Sequence, residues 1–296
     1  MPGADFKLDQ VRGAIAALGR VLSVETLAEA QRIYAPYQER EPYHGLLVSR
    51  DLAYGADERH RLDIFRAEGV EERRPALIFV HGGGFVAGEK RRPGSPFYDN
   101  IAVWAARQGL VGINMTYRLA PQHPWPAGAE DMGAAVAWLR GHAEELGVDP
   151  ARIVLMGQSA GAAHAASYIA RSALHGAEGH GLAAAIVISG VYDLTVANPK
   201  AISTAYFGTD PSLYEERSSI AGLAASDLPL LVAVAEHDPS HFEHQALRLL
   251  AAVFERTRHL PRFLQLSGHN HLSGVLHLGL PGDCLGPEIL RLARSS

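Results

Sequence analysis

Apolar positions along this chain follow two spacings. Some run unbroken: "ALIFV" at 76–80, "IVLM" at 153–156, "AAIVI" at 184–188 and "LLVAVA" at 230–235. Continuous apolar runs of this length mark strands buried on both faces of a parallel sheet. Further strand candidates lie at 46–48, 61–65, 111–117 and 262–266. Between them, apolar residues recur at helical spacing over 97–107, 128–146, 160–174, 242–254 and 286–294. Strand and helix alternate, which predicts an α/β fold with a mostly parallel, doubly wound sheet and helices on both faces. Two regions depart from the alternation. Residues 8–34 are helical in pattern before the first strand, and 191–227 form a Tyr-, Ser- and Gly-rich interruption. An interruption this long is more often a lid or binding insert than a plain loop. Together, as segments of approximately 1–45 and 191–227, they are expected to form a small helical cap on a single domain.

Composition narrows the class. Of 296 residues, 47% are hydrophobic and 20% charged, which is ordinary for a globular chain. A formal charge of −5 with no basic block argues against nucleic acid or an anionic membrane as partner. The one cysteine, Cys284, cannot form an intrachain disulfide. Charges near the start stand where a secretory segment would be apolar, and no apolar run is long enough to span a bilayer. A cytoplasmic protein is the expectation.

The chemistry concentrates in two stretches. "IVLMGQSAG" (153–161) sends an apolar strand into Gly-x-Ser-x-Gly, and "AAHAASYIARSAL" follows as a helix. Strand, sharp turn, helix is the context that turns this otherwise weak match into a candidate nucleophile, Ser159. An N-capping serine at a βα turn is the other reading. "ALIFVHGGGFVAG" (76–88) places His81 and three glycines directly after a buried strand. Backbone without side chains can approach a ligand closely, as an oxyanion site requires. A phosphate loop is disfavoured because no Gly-Lys-Ser/Thr follows.

"HGGGF", "YRLAPQHPWPAGAEDMGAAVAWL" (117–139) and "GQSAGAA", in this order, resemble the hormone-sensitive-lipase-like branch of the α/β-hydrolase fold. Its members are serine carboxylesterases, with relatives among the kynurenine formamidases. The resemblance covers about 51–271. "YGADERHRLDIF" and "SGVYDL" are similar to the formamidase side. The chain departs from the branch at Gln158, where Asp is frequent, and after Asp238-Pro239, where Ser-His-Phe replaces Leu-Arg-Asp.

In that fold the acid and then the base follow the serine. The resemblance favours Asp238 over its neighbour Glu236 as acid. It favours His271 over His269 as base, with His269 kept as the alternative. It implies Gly83, Gly84 and Ala160 as backbone oxyanion donors. Phe85, Gln158 and the insert tyrosines are candidates for the substrate pocket. His81 is expected to support the glycine loop, and Trp125 to pack its turn. His237, His241 and His244 lie at helical intervals, but no cysteine joins them and the metalloprotease spacing is absent. No metal and no cofactor is implied.

The expected function is hydrolysis of short-chain acyl esters, a small-molecule substrate class, through an acyl-enzyme. An aryl formamidase with the same triad is the alternative. Acyl transfer to another acceptor and a non-catalytic small-molecule receptor are further readings. The apolar last strand and terminal helix could pair subunits as a homodimer or pack on their own sheet.

Overall fold

The computed structural model describes residues 6–177, 179–196 and 203–294. Residues 1–5 and 197–202, which belong to the two expected cap segments, lie outside the described residues. Among the described residues, eight strands form one sheet: β1 (Leu46–Ala53), β2 (Arg61–Ala67), β3 (Arg74–Val80), β4 (Val111–Met115), β5 (Val148–Gln158), β6 (Ala184–Ile188), β7 (Leu230–His237) and β8 (Arg262–Asn270). Their order is β1-β2-β4-β3-β5-β6-β7-β8. β2 runs antiparallel to β1 and β4, and the other neighbours are parallel.

The helices in chain order are α1 (Leu8–Ala17), α2 (Val24–Tyr34), α3 (Asp99–Arg107), α4 (Ala127–Gly141), α5 (Ala160–Ile169), α6 (Thr204–Phe207), α7 (Tyr214–Arg217), α8 (Ile220–Ala225), α9 (Ser240–Thr257), α10 (Ser273–Leu276) and α11 (Leu285–Arg294). α2 starts on a reciprocal cap. The Ser23 hydroxyl accepts from the Thr26 N–H at 3.2 Å, and the Thr26 hydroxyl accepts from the Ser23 N–H at 3.0 Å.

The unbroken apolar runs have the expected cause. Along β3, Ala76, Ile78 and Val80 enter a core shared with residues of α4, α5 and α9. Leu77 and Phe79, one step out of phase, enter a second core with residues of α1, α3, α10 and α11. Each strand residue therefore faces an apolar layer, and the two-residue period vanishes from the sequence because both faces are dry.

Several boundaries differ from expectation: β1 and β8 run on to Ala53 and Asn270, and α4 stops at Gly141. β4 stops at Met115, opposite Leu62 near the start of β2, and Thr116 beyond it bonds the Arg61 carbonyl through its N–H at 3.0 Å and the Arg59 carbonyl through its hydroxyl at 2.6 Å. α5 ends at Ile169 and a short 3-10 turn, Ser172–Leu174, follows. β5 begins at Val148, with a register irregularity against β3 between the Arg74 and Ala76 pairings. Pro150 lies in that span and has no N–H for the ladder.

α1 packs on β8, and α10 lies against α2 and β8. Tyr206 and Phe207 of α6 join Phe85, Ala120, Ala160, Ala163 and Leu194 in a smaller apolar cluster. Among the described residues, no helix is long and apolar enough to cross a membrane.

Candidate active site

The C-terminal ends of β3, β5, β6, β7 and β8 converge, as is usual for sites in open α/β sheets. Ser159 follows β5 directly, at φ 57° and ψ −119°. Such a conformation costs about 1–3 kcal/mol for a residue with a side chain and persists only where its surroundings enforce it. Here the Ser159 N–H is held by the Ile188 carbonyl of β6 at 2.8 Å, and the Ser159 carbonyl takes the Ala163 N–H as α5 begins.

The flanking glycines act through close contact. A Cβ at Gly157 would stand 2.3 Å from the Gly161 carbonyl oxygen, and one at Gly161 would stand 2.2 Å from the Val80 carbonyl oxygen. The first turn of α5 can press against β5 and β3 only without those carbons. The Gly-x-Ser-x-Gly spacing is thus a packing requirement for the turn that presents the serine.

His271 follows β8. Its Nδ1 lies 2.7 Å from Asp238 Oδ1, and its Nε2 lies 2.8 Å from Ser159 Oγ. A carboxylate can only accept, so the imidazole proton sits on Nδ1 and the Nε2 lone pair faces the serine hydroxyl. Asp238 is fully buried just past β7. Its Oδ2 accepts from the Ser189 hydroxyl at 2.6 Å and the Ala235 N–H at 2.7 Å. The ring of Phe242 stacks on the His271 imidazole, with centroids 4.3 Å apart. Gln158 is buried, and its Nε2 donates to the His271 carbonyl at 2.8 Å, so this side chain braces the loop of the base.

The structure thus brings Ser159, Asp238 and His271 into one hydrogen-bonded file. It does not bring Glu236 or His269 there. Glu236 accepts the Gly268 N–H at 2.7 Å and ties β7 to β8. His269 is buried against Tyr34, Ser273 and His277. His241 packs against the Phe242 ring at a tilt of 40°. Among the described residues, no group of three His, Cys, Asp or Glu side chains could hold a metal ion.

Beside the serine, the glycine loop leaves β3. His81 is fully buried, and its Nδ1 lies 2.6 Å from the Gly82 carbonyl, so Nδ1 carries the donated proton. Burial pushes its pKa down to about 3, and the ring stays neutral. Gly83, at φ 135°, faces the Ala87 carbonyl so closely that a Cβ would stand 1.9 Å from that oxygen. Among the described residues, no internal acceptor takes the N–H of Gly83 or Gly84.

Phe85, the next residue, is mostly buried and stacks on Tyr206 at 4.7 Å, with Phe207 edge-on at 5.0 Å. Trp125 binds the insert as well as its own turn. Its backbone N–H donates to the Tyr206 carbonyl at 2.9 Å, and the guanidinium groups of Arg171 and Arg217 lie 4.7 and 5.3 Å from its ring.

Sequence reasoning missed Ser189, Phe242 and the brace role of Gln158. Ser189 sits inside the quoted "SGVYDL", but nothing in its neighbours links it to a residue 49 positions away.

With this geometry in view, relatives can be compared. The BD-FAE family model matches residues 62–252, more than half of the chain. The chain belongs to the BD-FAE family. Among curated relatives, carboxylesterase NlhH of Mycobacterium tuberculosis is 40% identical over 93 residues, covering 31% of this chain and 28% of that protein. Esterase LipQ of the same organism is 28% identical over 241 residues, covering 75% of this chain and 56% of that one. The matched stretch therefore spans well under two thirds of these relatives. Among solved structures, esterase B from Lactobacillus rhamnosis superposes with a TM-score of 0.71 at 20% identity, over 97% of this chain and 95% of that one. A bacterial heroin esterase gives 0.70 at 21% identity, with 97% of each chain covered. At these identities the superpositions establish the fold, an α/β-hydrolase, as the motifs implied. The resemblance to the hormone-sensitive-lipase-like branch is borne out for this BD-FAE family member by the same relatives.

Proposed function

We propose that this protein is a serine carboxylesterase acting on short-chain acyl esters. The observation that carries the reading is the file Asp238–His271–Ser159, with both its hydrogen bonds at 2.7–2.8 Å. Ser159 Oγ attacks the acyl carbonyl while His271 Nε2 takes its proton, and Asp238 holds the imidazolium that forms. The N–H groups of Gly83, Gly84 and Ala160 receive the developing oxyanion. His271 returns the proton to the leaving alcohol as the tetrahedral intermediate collapses to an acyl-enzyme. Water, deprotonated by the same imidazole, then releases the acid. No metal or cofactor enters this route.

Preference for short acyl groups is supported by the rings of Phe85, Tyr206 and Phe207, which fill the space against Ala160 and Ala163 beside the serine. The segments 1–45 and 191–227 act in this reading as a small cap on a single domain. Arg20, between α1 and α2, supports it by reaching Glu243 at 2.7 Å and the Asp238 carbonyl at 3.4 Å. A cytoplasmic setting fits the single cysteine.

The test is kcat/KM for p-nitrophenyl acetate beside N-formylkynurenine, with Ser159→Ala as the blank. The proposal expects acetate turnover that falls ~10⁴-fold or more in the variant. Preference for the formamide would replace the esterase reading with a formamidase. Rates no higher than the blank on both substrates would replace it with a receptor.

A further inference from the structure

His269 and His277 lie outside the triad yet sit a few residues on either side of the base. Both are 1% exposed, and their rings bond directly, His277 Nδ1 to His269 Nε2 at 3.2 Å. Two imidazoles in contact need one donor and one acceptor between them, and the surroundings decide which is which. The Pro281 carbonyl, 3.0 Å from His277 Nε2, can only accept. His277 therefore carries its proton on Nε2, and its Nδ1 accepts. His269 must then donate from Nε2, and its Nδ1 accepts in turn. The Ser273 hydroxyl lies 3.0 Å from that nitrogen, with the Tyr34 hydroxyl of α2 at 3.5 Å.

The file ends at the turn that carries His271. Ser273 Oγ accepts the Asn270 N–H at 3.0 Å, and Asn270 Oδ1 accepts the Ser273 N–H at 3.1 Å and the Leu272 N–H at 3.3 Å. This reciprocal box closes a four-residue turn with the base inside it. The box works only if the Ser273 proton points away from the Asn270 N–H, which the acceptor nitrogen of His269 ensures. Both imidazoles are held neutral chiefly by burial, which lowers their pKa values, that of His269 to about 3.

We propose that His277 and His269 form a directional hydrogen-bond relay that fixes the turn bearing His271, as positioning residues for the reaction. The proposal rests on the reading of His271 as general base. It gives a role to a histidine pair that the triad leaves unused, and it couples the base to α2 through Tyr34.

Two measurements test it. In the wild-type protein, ¹⁵N correlation spectra of labelled histidine at neutral pH should show both rings protonated at Nε2, with assignments from single His→Gln variants. An Nδ1–H tautomer at either ring would overturn the direction of the relay. In kinetics, His277→Leu keeps most of the volume but neither polar function, whereas His277→Gln keeps a donor and an acceptor. The Leu variant should lose ~10-fold in kcat with KM nearly unchanged, and the Gln variant should recover most of it. Equal kcat in the two variants, or a loss confined to KM, would overturn the positioning role. The tautomers are read on unmodified protein, so they judge the relay even if the Leu variant does not fold. A wild type without ester hydrolysis would sink the esterase reading instead.

Discussion

Two networks of buried charge and hydrogen bonds lie at different places on the same sheet. At the β1–β2 edge, Asp63 is fully buried. Its carboxylate takes Arg50 at 2.7 Å, the Asp51 N–H at 2.9 Å and Lys90 at 3.1 Å. Asp99 beside it takes both ends of the Arg50 guanidinium, at 2.6 and 2.9 Å, and the Tyr43 hydroxyl. Burial and the Asp99 contact push Tyr43 up to about 12, so it keeps its proton. Cations and carboxylates there enclose one another.

At the strand ends around Asp238 the bonding runs in single file instead, from Asp238 through His271 to a partly exposed Ser159 hydroxyl. Asp238 is as buried as Asp63, but one of its oxygens serves a group that can gain and lose a proton. Burial of charge does not distinguish a functional network from a structural one. An open end facing the substrate does.

Substitutions should separate the two. Asp238→Asn leaves the fold in place but disturbs the His271 tautomer, and kcat/KM for p-nitrophenyl acetate should fall ~10⁴-fold. A smaller loss, under tenfold, would make Asp238 a structural residue like Asp63. Asp63→Ala removes the buried carboxylate that Arg50 and Lys90 share, leaving Arg50 to Asp99 and Lys90 to the exposed Asp51, and should cost about 1–3 kcal/mol in denaturant unfolding. Its kcat per folded molecule should match wild type. A drop in that kcat would dissolve the contrast between the networks.

Acid should strike the strand-end side. Burial holds His81, His164 and His269 down to about 3, below the ~6.5 of an unfolded histidine. As pH falls below ~6.5 the unfolded chain takes up protons that the folded one refuses. Stability is then lost progressively towards pH 3, by up to ~1.4 kcal/mol per pH unit for each ring. Unfolding free energies from urea titrations at pH 7 and pH 5 should therefore differ by several kcal/mol for the three together, and equal values would show that these rings are not held neutral. The smallest effect concerns acyl size. Tyr206→Ala removes the ring stacked on Phe85, and the ratio of hexanoate to acetate kcat/KM should rise about tenfold. An unchanged ratio would detach these rings from acyl choice.

How much of this was legible depends on how far the determining contacts lie along the chain. All eight strands could be read, four of them because dry faces on both sides leave unbroken apolar runs, while the outer β1 and β8, exposed along much of their length, show only short apolar stretches. Ser159 could be read because Gly157 and Gly161 carry the packing of its turn in their identity. Asp238 and His271 came from resemblance, since Glu236 and His269 offer the same chemistry two residues away. Position in space separates them, through Ser189 and Ala235 around Asp238 and Ser159 beside His271. The Gln158 brace spans 113 residues, and Tyr34 reaches His269 across 235. No periodicity records contacts of that range.

The central claim is that Ser159 is a nucleophile activated by His271. It is tested most directly by peptide mapping after brief exposure to a p-nitrophenyl phosphonate. The account predicts one adduct, on Ser159, formed rapidly in wild type and lost or greatly slowed in His271→Ala. An adduct on another residue, or equal labelling of Ser159 in the His271 variant, would contradict it.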